Sequence, residues 1–442
     1  MANTLDLYSE EVVAKVLLGN VSSSSINYQF VDDSITKVGI GGLYGLTNIK
    51  YIDLPNLTEI ECGGFANITA YSSSIDIFSD FPWDNLTKID SYAFAGLAAN
   101  TLYRIVKGDI VFTNLTHLGG AGVFYEQRNL TSVSFPSLTT IIPFTIGTTW
   151  LAYQIRPNAS SYGIFASCTG LLTASFPIIT NISSAYRMFQ NCLALTTVSM
   201  PNVAGTIPEY TFYNCSALVN LNLGSNVNTI GRYAFNNCGN ILASYFTWAN
   251  ITSIDDYAFY NCSGFIGTLD LSESPITSIG SYAFRGTGFT RLKLRTFSSI
   301  YSNSYRFNYM TSLQRIDFGC AGTGNYCTGS YWFRYCTALT LVVFHRSFLW
   351  TNSNTTRNLF TNCTALTTAV FKNWTSMLVM QYAATNSYNP FYGTPIANGT
   401  GTIYVPDEYL ADVLANSNWA SFVTKGTQIL ALSKWTDPDD NE

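Results

Sequence analysis

Aromatic and apolar residues return along this chain at a nearly fixed step. Tyr210, Phe212 and Cys215 are followed by Leu218, Leu221, Leu223 and Ile230-Gly231, and the same order restarts at Tyr233, Phe235 and Cys238. The step is about 23 residues. Sliding this template along the chain sets an anchor at Leu43, Phe65, Phe94, Phe124, Phe165, Phe189, Phe212, Phe235, Phe259, Phe284, Phe307, Phe333 and Phe360, 13 copies in all. A period of this size marks a solenoid, in which each coil buries its apolar side only against its neighbours. Each copy has two parts. The first, as in Leu130-x-x-Val133-x-Phe135-Pro136 and Leu195-x-x-Val198-x-Met200-Pro201, alternates as a strand does. The second, as in Ile230 to Phe235 and Ile279 to Phe284, carries a glycine that permits a tight turn. One strand per coil, stacked in parallel at roughly 4.8 Å, predicts a β-rich, right-handed curved rod of about 13 coils and about 60 Å.

The ends break the pattern. Residues 1–37 are expected to hold an N-terminal helix and cap: Ser9 as N-cap, Glu10 and Glu11 in the first turn, Val12, Val13, Val16 and Leu17 on one face, Gly19 as the stop. That helix either covers the first coil or docks onto another copy, and Ile26 to Ile35 adds an irregular strand. The solenoid occupies residues 38–381. Residues 382–436 read as a C-terminal cap, with an Asn- and Gly-rich excursion and then Asp407 capping a helix of Leu410, Val413 and Leu414, followed by Trp419 and Phe422. Residues 437–442 read as an acidic, mobile tail. Residues 70–90, 97–120, 144–162, 319–332 and 346–358 depart from the spacing, as inserted loops do.

Composition narrows the class. The chain is 47% hydrophobic and only 11% charged, too apolar for disorder. Its net charge of -5 gives no general attraction to nucleic acid or an acidic membrane, and no run nears the roughly 18 apolar residues of a membrane span. No leader peptide is legible at its start, so the chain as written is expected to be made in the cytoplasm without export by the general secretory route. Seven of its ten cysteines, Cys168, Cys192, Cys215, Cys238, Cys262, Cys336 and Cys363, fall three residues after an anchor. Elsewhere that column holds Leu46, Ile68, Leu97, Gln127, Thr287 and Met310, mostly apolar, so a ladder of reduced, buried thiols is expected. Cys320 and Cys327 lie off it and form the one candidate disulfide.

The run Ile-x-x-Tyr-Ala-Phe-x-Asn-Cys followed by Leu-x-x-Val-x-Leu, repeated over roughly residues 38–406, resembles the BspA-like class of leucine-rich repeats, found in bacterial surface proteins, some protists and phages of gut bacteria. Ile403-Tyr404-Val405-Pro406 before a short helix looks like the usual ending of that class. The resemblance implies a leucine-rich-repeat solenoid with a binding or adhesive role and no enzymatic activity. It names no ligand.

Catalytic signals are weak. The two histidines, His117 and His345, have no Cys or carboxylate at metal-ligand spacing, and Asp255-Asp256 reads as a turn cap; no metal or cofactor is expected. Asn-x-Ser/Thr triplets at Asn56, Asn67, Asn85, Asn214 and Asn261 read as by-products of the template. Two features suit binding. Tyr92, Tyr210, Tyr233, Tyr257, Tyr282, Tyr305 and Tyr331 each precede an anchor by two residues and stack into a stripe, of which Tyr210, Tyr233, Tyr257 and Tyr282 are the candidates for ligand contact; alternatively, they cover the core. The alternation Arg291-Leu292-Lys293-Leu294-Arg295, with Arg315 on the next strand, puts cations on one strand face. That cluster either grips an acidic ligand or pairs with Asp317. The rest of the strand surface is Thr and Ser, such as Thr131, Ser132, Ser134, Thr197 and Ser199.

The expected function is that of a non-catalytic recognition or adhesion protein on a virion or bacterial surface, binding a protein or glycan of a host or neighbouring cell. The alternatives are an architectural subunit whose partner belongs to its own particle, and a glycan-active parallel β-helix enzyme. Nucleic acid and membrane insertion are not expected.

Overall fold

The structure is a computed structural model that describes residues 4–5, 28–46, 49–70, 72, 76–96, 105–144, 162–295, 305–319, 331–345, 358–374 and 384–438. The predicted helix over Ser9 to Gly19, Cys320 and Cys327 lie outside these residues. The chain divides into two compact units, Met1–Val227 with Tyr233–Ile241, and Asn228–Arg232 with Leu242–Glu442. Both are parallel β-solenoids, with about 14 turns in all.

In the first unit the expected strands form one parallel sheet in the order Asn220–Leu223, Thr197–Met200, Thr173–Ser175, Asn129–Ser134, Lys107–Val111. Val133, Ala174, Val198 and Leu221 stand in register and point into the core. A second parallel ladder of shorter strands joins Lys37–Val38, Glu59–Ile60, Lys88–Ile89, His117–Gly119 and Thr140–Ile142, with Thr4–Leu5 at its edge. These coils thus carry a further short strand beside the expected one. Tyr28–Val31 pairs with Ile49–Asp53, as the early irregular strand requires.

The turn between strands shows why the template repeats. A left-handed residue stands two positions before and two positions after most anchors: Tyr210 (φ 57°) and Asn214 (φ 59°) around Phe212, Gly41 (φ 64°) and Gly45 (φ 73°) around Leu43. The doubled bend turns the anchor ring inward and frees main-chain groups for the neighbouring coil, so Phe189 N–H donates to Thr211 O at 2.8 Å and Phe212 N–H to Ala234 O at 2.7 Å. The anchors then stack: Phe94, Phe124, Phe165, Phe189 and Phe212 follow one another at 5.4 Å.

The cysteine column is buried and its thiols are free, but apolar filling is only half of its role. Thiols of this column donate to the anchor carbonyl of the coil before them: Cys168 to Phe124 (2.9 Å), Cys192 to Phe165 (3.0 Å), Cys215 to Phe189 (3.1 Å), Cys238 to Phe212 (2.9 Å), Cys336 to Phe307 (3.3 Å) and Cys363 to Phe333 (3.0 Å). Gln127 in the same column does so too, Nε2 to Phe94 O at 2.6 Å, while its Oε1 accepts from Val106 N–H at 3.0 Å. Where the column holds Cys or Gln, the side chain both fills the core and ties its coil to the one behind. Gln127→Leu, which leaves the buried Val106 N–H without its acceptor, is expected to cost about 1–3 kcal/mol in denaturant unfolding, more than the roughly 0.5–1.5 kcal/mol of Cys215→Val. Burial pushes the Cys168, Cys215 and Cys363 thiols well above their ordinary range, so they are inert in the folded chain.

The segment 70–90, expected as a loop, is packed from residue 76 onward. Phe78 and Phe81 are buried and meet Phe65 edge-on, each at 5.6 Å. The extra residues widen the core of their coil. Residues 107–111 and 117–119 of the second irregular segment are strands of the two ladders.

The second unit holds a seven-stranded parallel sheet, Gly267–Leu271, Phe289–Leu294, Arg315–Phe318, Leu341–Phe344, Thr368–Phe371, Thr402–Val405, Gln428–Ala431. Its anchors Phe259, Phe284, Phe307, Phe333 and Phe360 stack at 5.3 to 5.7 Å. Phe391 continues the series, 5.6 Å from Phe360, and Phe360 N–H donates to Pro390 O at 2.8 Å. The supposed excursion of residues 382–401 thus contains a further coil. The helix Ser417–Lys425 buries Trp419 and Phe422, its N-cap Asn416 accepting from the N–H groups of Asn418 and Trp419. Asp407 does not cap the helix Leu410–Ala415: its Oδ1 accepts from Ser433 N–H at 2.9 Å.

Candidate functional site

The predicted tyrosine stripe is present within each unit. In the first, Tyr210 stacks on Tyr233 at 4.8 Å, with the Arg187 guanidinium 4.2 Å from the Tyr210 ring centre. In the second, Tyr257, Tyr282, Tyr305 and Tyr331 stack at 4.9, 5.2 and 5.1 Å, the planes 3° to 19° apart. All six are partly exposed, whereas Tyr92 is fully buried and packs on Phe144. A second column runs alongside. The Arg285 guanidinium lies 4.4 Å from the Tyr309 ring centre and Arg334 4.7 Å from that of Tyr335, and these two tyrosines lie 4.8 Å apart.

Every tyrosine of the stripe has positive φ, from 55° at Tyr233 to 69° at Tyr305. A left-handed conformation costs a residue with a Cβ roughly 1–2 kcal/mol, and glycine nothing. Gly41, Gly63 and Gly122 fill the same slot elsewhere, so the turn itself does not need a ring. The ring faces are covered by one another, which leaves ring edges and guanidinium groups to meet solvent. The template did not single out the flanking Arg285 and Arg334, which stand one residue after their anchors at a place that Tyr213 and Tyr260 hold in other coils.

The basic alternation behaves differently. Leu292 and Leu294 point inward as expected, but each cation has a partner within the unit. Lys293 Nζ is 3.5 Å from Asp270 Oδ2, Arg295 Nη1 donates to Ser274 O at 2.5 Å, and Arg291 Nε donates to Asp317 Oδ2 at 2.8 Å. Arg315, opposite Arg291 in register, is only 8% exposed. Its Nε and Nη2 edge grips Asp317 (Nη2 to Oδ1 2.9 Å), and its Nη1 and Nη2 end grips Asp437 at 2.6 and 3.1 Å. Asp437, expected at the head of a mobile tail, is 5% exposed. His345 Nε2 lies 3.3 Å from Asp317 Oδ1. Burial alone would raise the Asp317 carboxyl, yet the hydrogen bonds from His345 and Arg315 and the charge of Arg315 outweigh it and hold the group well below the usual carboxylate range.

Other candidates resolve into structure. Asp256 Oδ1 accepts from Ser281 N–H at 2.6 Å, capping the turn of the next coil, and the Asn214 amide donates to Asn191 Oδ1 at 3.0 Å. Among the described residues no three His, Cys, Asp or Glu side chains gather as metal ligands, and no helix is long and apolar enough to cross a membrane.

The model of the BspA type leucine rich repeat region matches residues 20–146, 161–266 and 267–388 in six copies. The chain belongs to this family. No curated protein matches it. Among solved structures it is similar to a leucine-rich repeat protein from Bacteroides ovatus, at 16% identity over 72% of this chain and 87% of that one with a TM-score of 0.31. A leucine rich cell surface protein from Faecalibacterium prausnitzii matches at 16% identity over 80% and 85%, TM-score 0.35. The pneumococcal vaccine antigen PcpA matches at 12% over 93% and 86%, TM-score 0.29.

Proposed function

We propose that this repeat protein is a non-catalytic recognition protein, displayed on a cell or virion surface, and that it binds a protein partner through the tyrosine and arginine face. The observation that carries this reading is the retention of tyrosine in a left-handed slot where glycine fits without strain. A strained residue kept in successive coils points to use. Because the ring faces are engaged with each other, sugar rings find no open platform on them; tyrosine edges beside arginine are the groups enriched in protein-binding surfaces.

The test uses Asn, which tolerates the left-handed region. In a variant carrying Tyr257→Asn, Tyr282→Asn and Tyr305→Asn, melting is expected to stay close to that of the parent while binding to intact gut-bacterial cells and host extracellular proteins falls at least tenfold. Binding that is unchanged in the variant, or that survives protease treatment of the target cells, would overturn the reading.

A further inference from the structure

Charge is spread unevenly along this chain. Between Glu273 and Asp407 the sequence carries ten Lys and Arg residues and a single acid, Asp317, although acids outnumber cations 27 to 22 in the chain as a whole. Asp317 is buried and engaged with Arg291, Arg315 and His345. Lys293 and Lys372, on the strand side, reach Asp270 and Asp437. Two guanidinium groups on the tyrosine side do not share this arrangement. Arg285 follows its anchor Phe284 and lies 4.4, 5.4 and 5.7 Å from the ring centres of Tyr309, Tyr260 and Tyr282. Arg334 follows Phe333 and lies 4.7 and 5.5 Å from those of Tyr335 and Tyr331, with Nη2 3.3 Å from the Tyr335 hydroxyl. Among the described residues no carboxylate stands within ion-pair distance of either group. The segments 296–304, 320–330, 346–357 and 375–383 contain no Asp or Glu that could supply one.

We propose that the tyrosine and arginine face of the second unit takes an acidic segment of its partner protein, with Arg285 and Arg334 each receiving one carboxylate. This deepens the reading given under the proposed function and rests on it. A ring face holds a guanidinium by cation–π attraction but takes up none of its in-plane N–H donors. Those donors form the fork that matches a carboxylate. The rings also hold each arginine in place beforehand, so little side-chain freedom is lost on binding. Spacing narrows the partner further. Asn308 stands in the same slot of the coil between them, which puts the two arginines two coil steps apart. Tyr282, Tyr305 and Tyr331 mark those steps at 5.2 and 5.1 Å, a separation of roughly 10 Å. In a β-strand, residues three apart span this distance but point to opposite sides. In polyproline II, with three residues per turn and a rise of about 3.1 Å, they share one side. A segment of that kind with an acid at every third position meets both arginines. Nucleic acid and sulfated glycans fit less well, because two guanidinium groups give a polyanion no continuous track of contacts.

The probe is a fluorescent peptide of repeated Glu-Pro-Pro, and its anisotropy is read against the full chain. The parent is expected to bind it in the micromolar range. Combining Arg285→Gln with Arg334→Gln, or replacing Glu by Gln in the peptide, should each weaken binding by about tenfold or more. The Gln peptide needs no change in the protein and so separates loss of recognition from loss of fold. Failure of the parent to bind, equal binding of the Glu and Gln peptides, tighter arginine-dependent binding of heparin than of the peptide, or arginine-dependent dimerisation of the parent in sedimentation would each overturn the proposal. Intact cells separate it from the reading beneath it. Full binding by the arginine variant where the Tyr257→Asn, Tyr282→Asn, Tyr305→Asn variant loses it would overturn the acidic segment and leave the recognition face standing; full binding by both variants would overturn both.

Discussion

Phe235→Ala is expected to lower the unfolding free energy by about 3–5 kcal/mol, the range for emptying a filled aromatic site in a close-packed core. Phe235 is fully buried, and its ring stacks on Phe212 at 5.1 Å. Urea unfolding followed by tyrosine and tryptophan fluorescence measures the loss directly. A solenoid is held together by nearest-neighbour contacts, so the loss should be accompanied by faster amide exchange in the coil of Phe212. A variant that melts with the parent would show that the anchor register is wrong.

Asp317→Ala ranks beside it. Asp317 is 1% exposed and accepts from Arg291, Arg315 and His345; deleting it takes from the Arg315 guanidinium, itself 8% exposed, the carboxylate that pairs with its Nε and Nη2 edge. Removing one partner from a buried ion pair costs about 3–5 kcal/mol, even where the intact pair adds little over an apolar replacement. The pH dependence follows from the depressed carboxyl. A group whose native value lies below its unfolded one stabilises the fold fully above the unfolded value, about 3.9 for aspartate. That contribution fades as the pH falls through this range toward the native value. The parent should therefore lose its advantage over Asp317→Ala between neutral pH and strong acid. Denaturant titrations of both proteins at pH 7 and pH 3 test this, and a gap equal at the two pH values would contradict it.

The architecture was legible because the physics that builds a coil repeats with it. Thirteen anchors, the inward strand leucines and the buried thiols can each be read from one 23-residue template. The coil at Phe391 escaped because it lies 31 positions after Phe360, although Gly393 (φ 76°) follows it by two residues as the template's second turn residue should. The donor role of the cysteine column was hidden for another reason. Leucine, isoleucine and methionine share the column, so composition suggested filling, and only the direction of the thiols toward the Phe carbonyls showed the hydrogen bond. Leu341, Val343 and Val370 held an unused signal: apolar residues at positions that are Ser or Thr in other coils require something to cover them. The cover, Leu432 and Trp435, comes from far along the chain, as does Asp437, 122 positions after its partner Arg315, beyond the reach of any periodic argument.

The side-chain bonds of the asparagine and cysteine columns point the same way, back to the preceding coil, while the main-chain N–H groups of the anchors donate forward. Asn214 donates to Asn191 and Asn237 to Asn214, just as Cys215 donates to Phe189 and Cys238 to Phe212. Every such coil is therefore plug and socket of one pattern, and a duplicated coil arrives already matched to both of its new neighbours. A gene of this kind can lengthen or shorten by whole periods in one recombination event without compensating substitutions, whereas the loss of part of a period puts every ladder out of step at once.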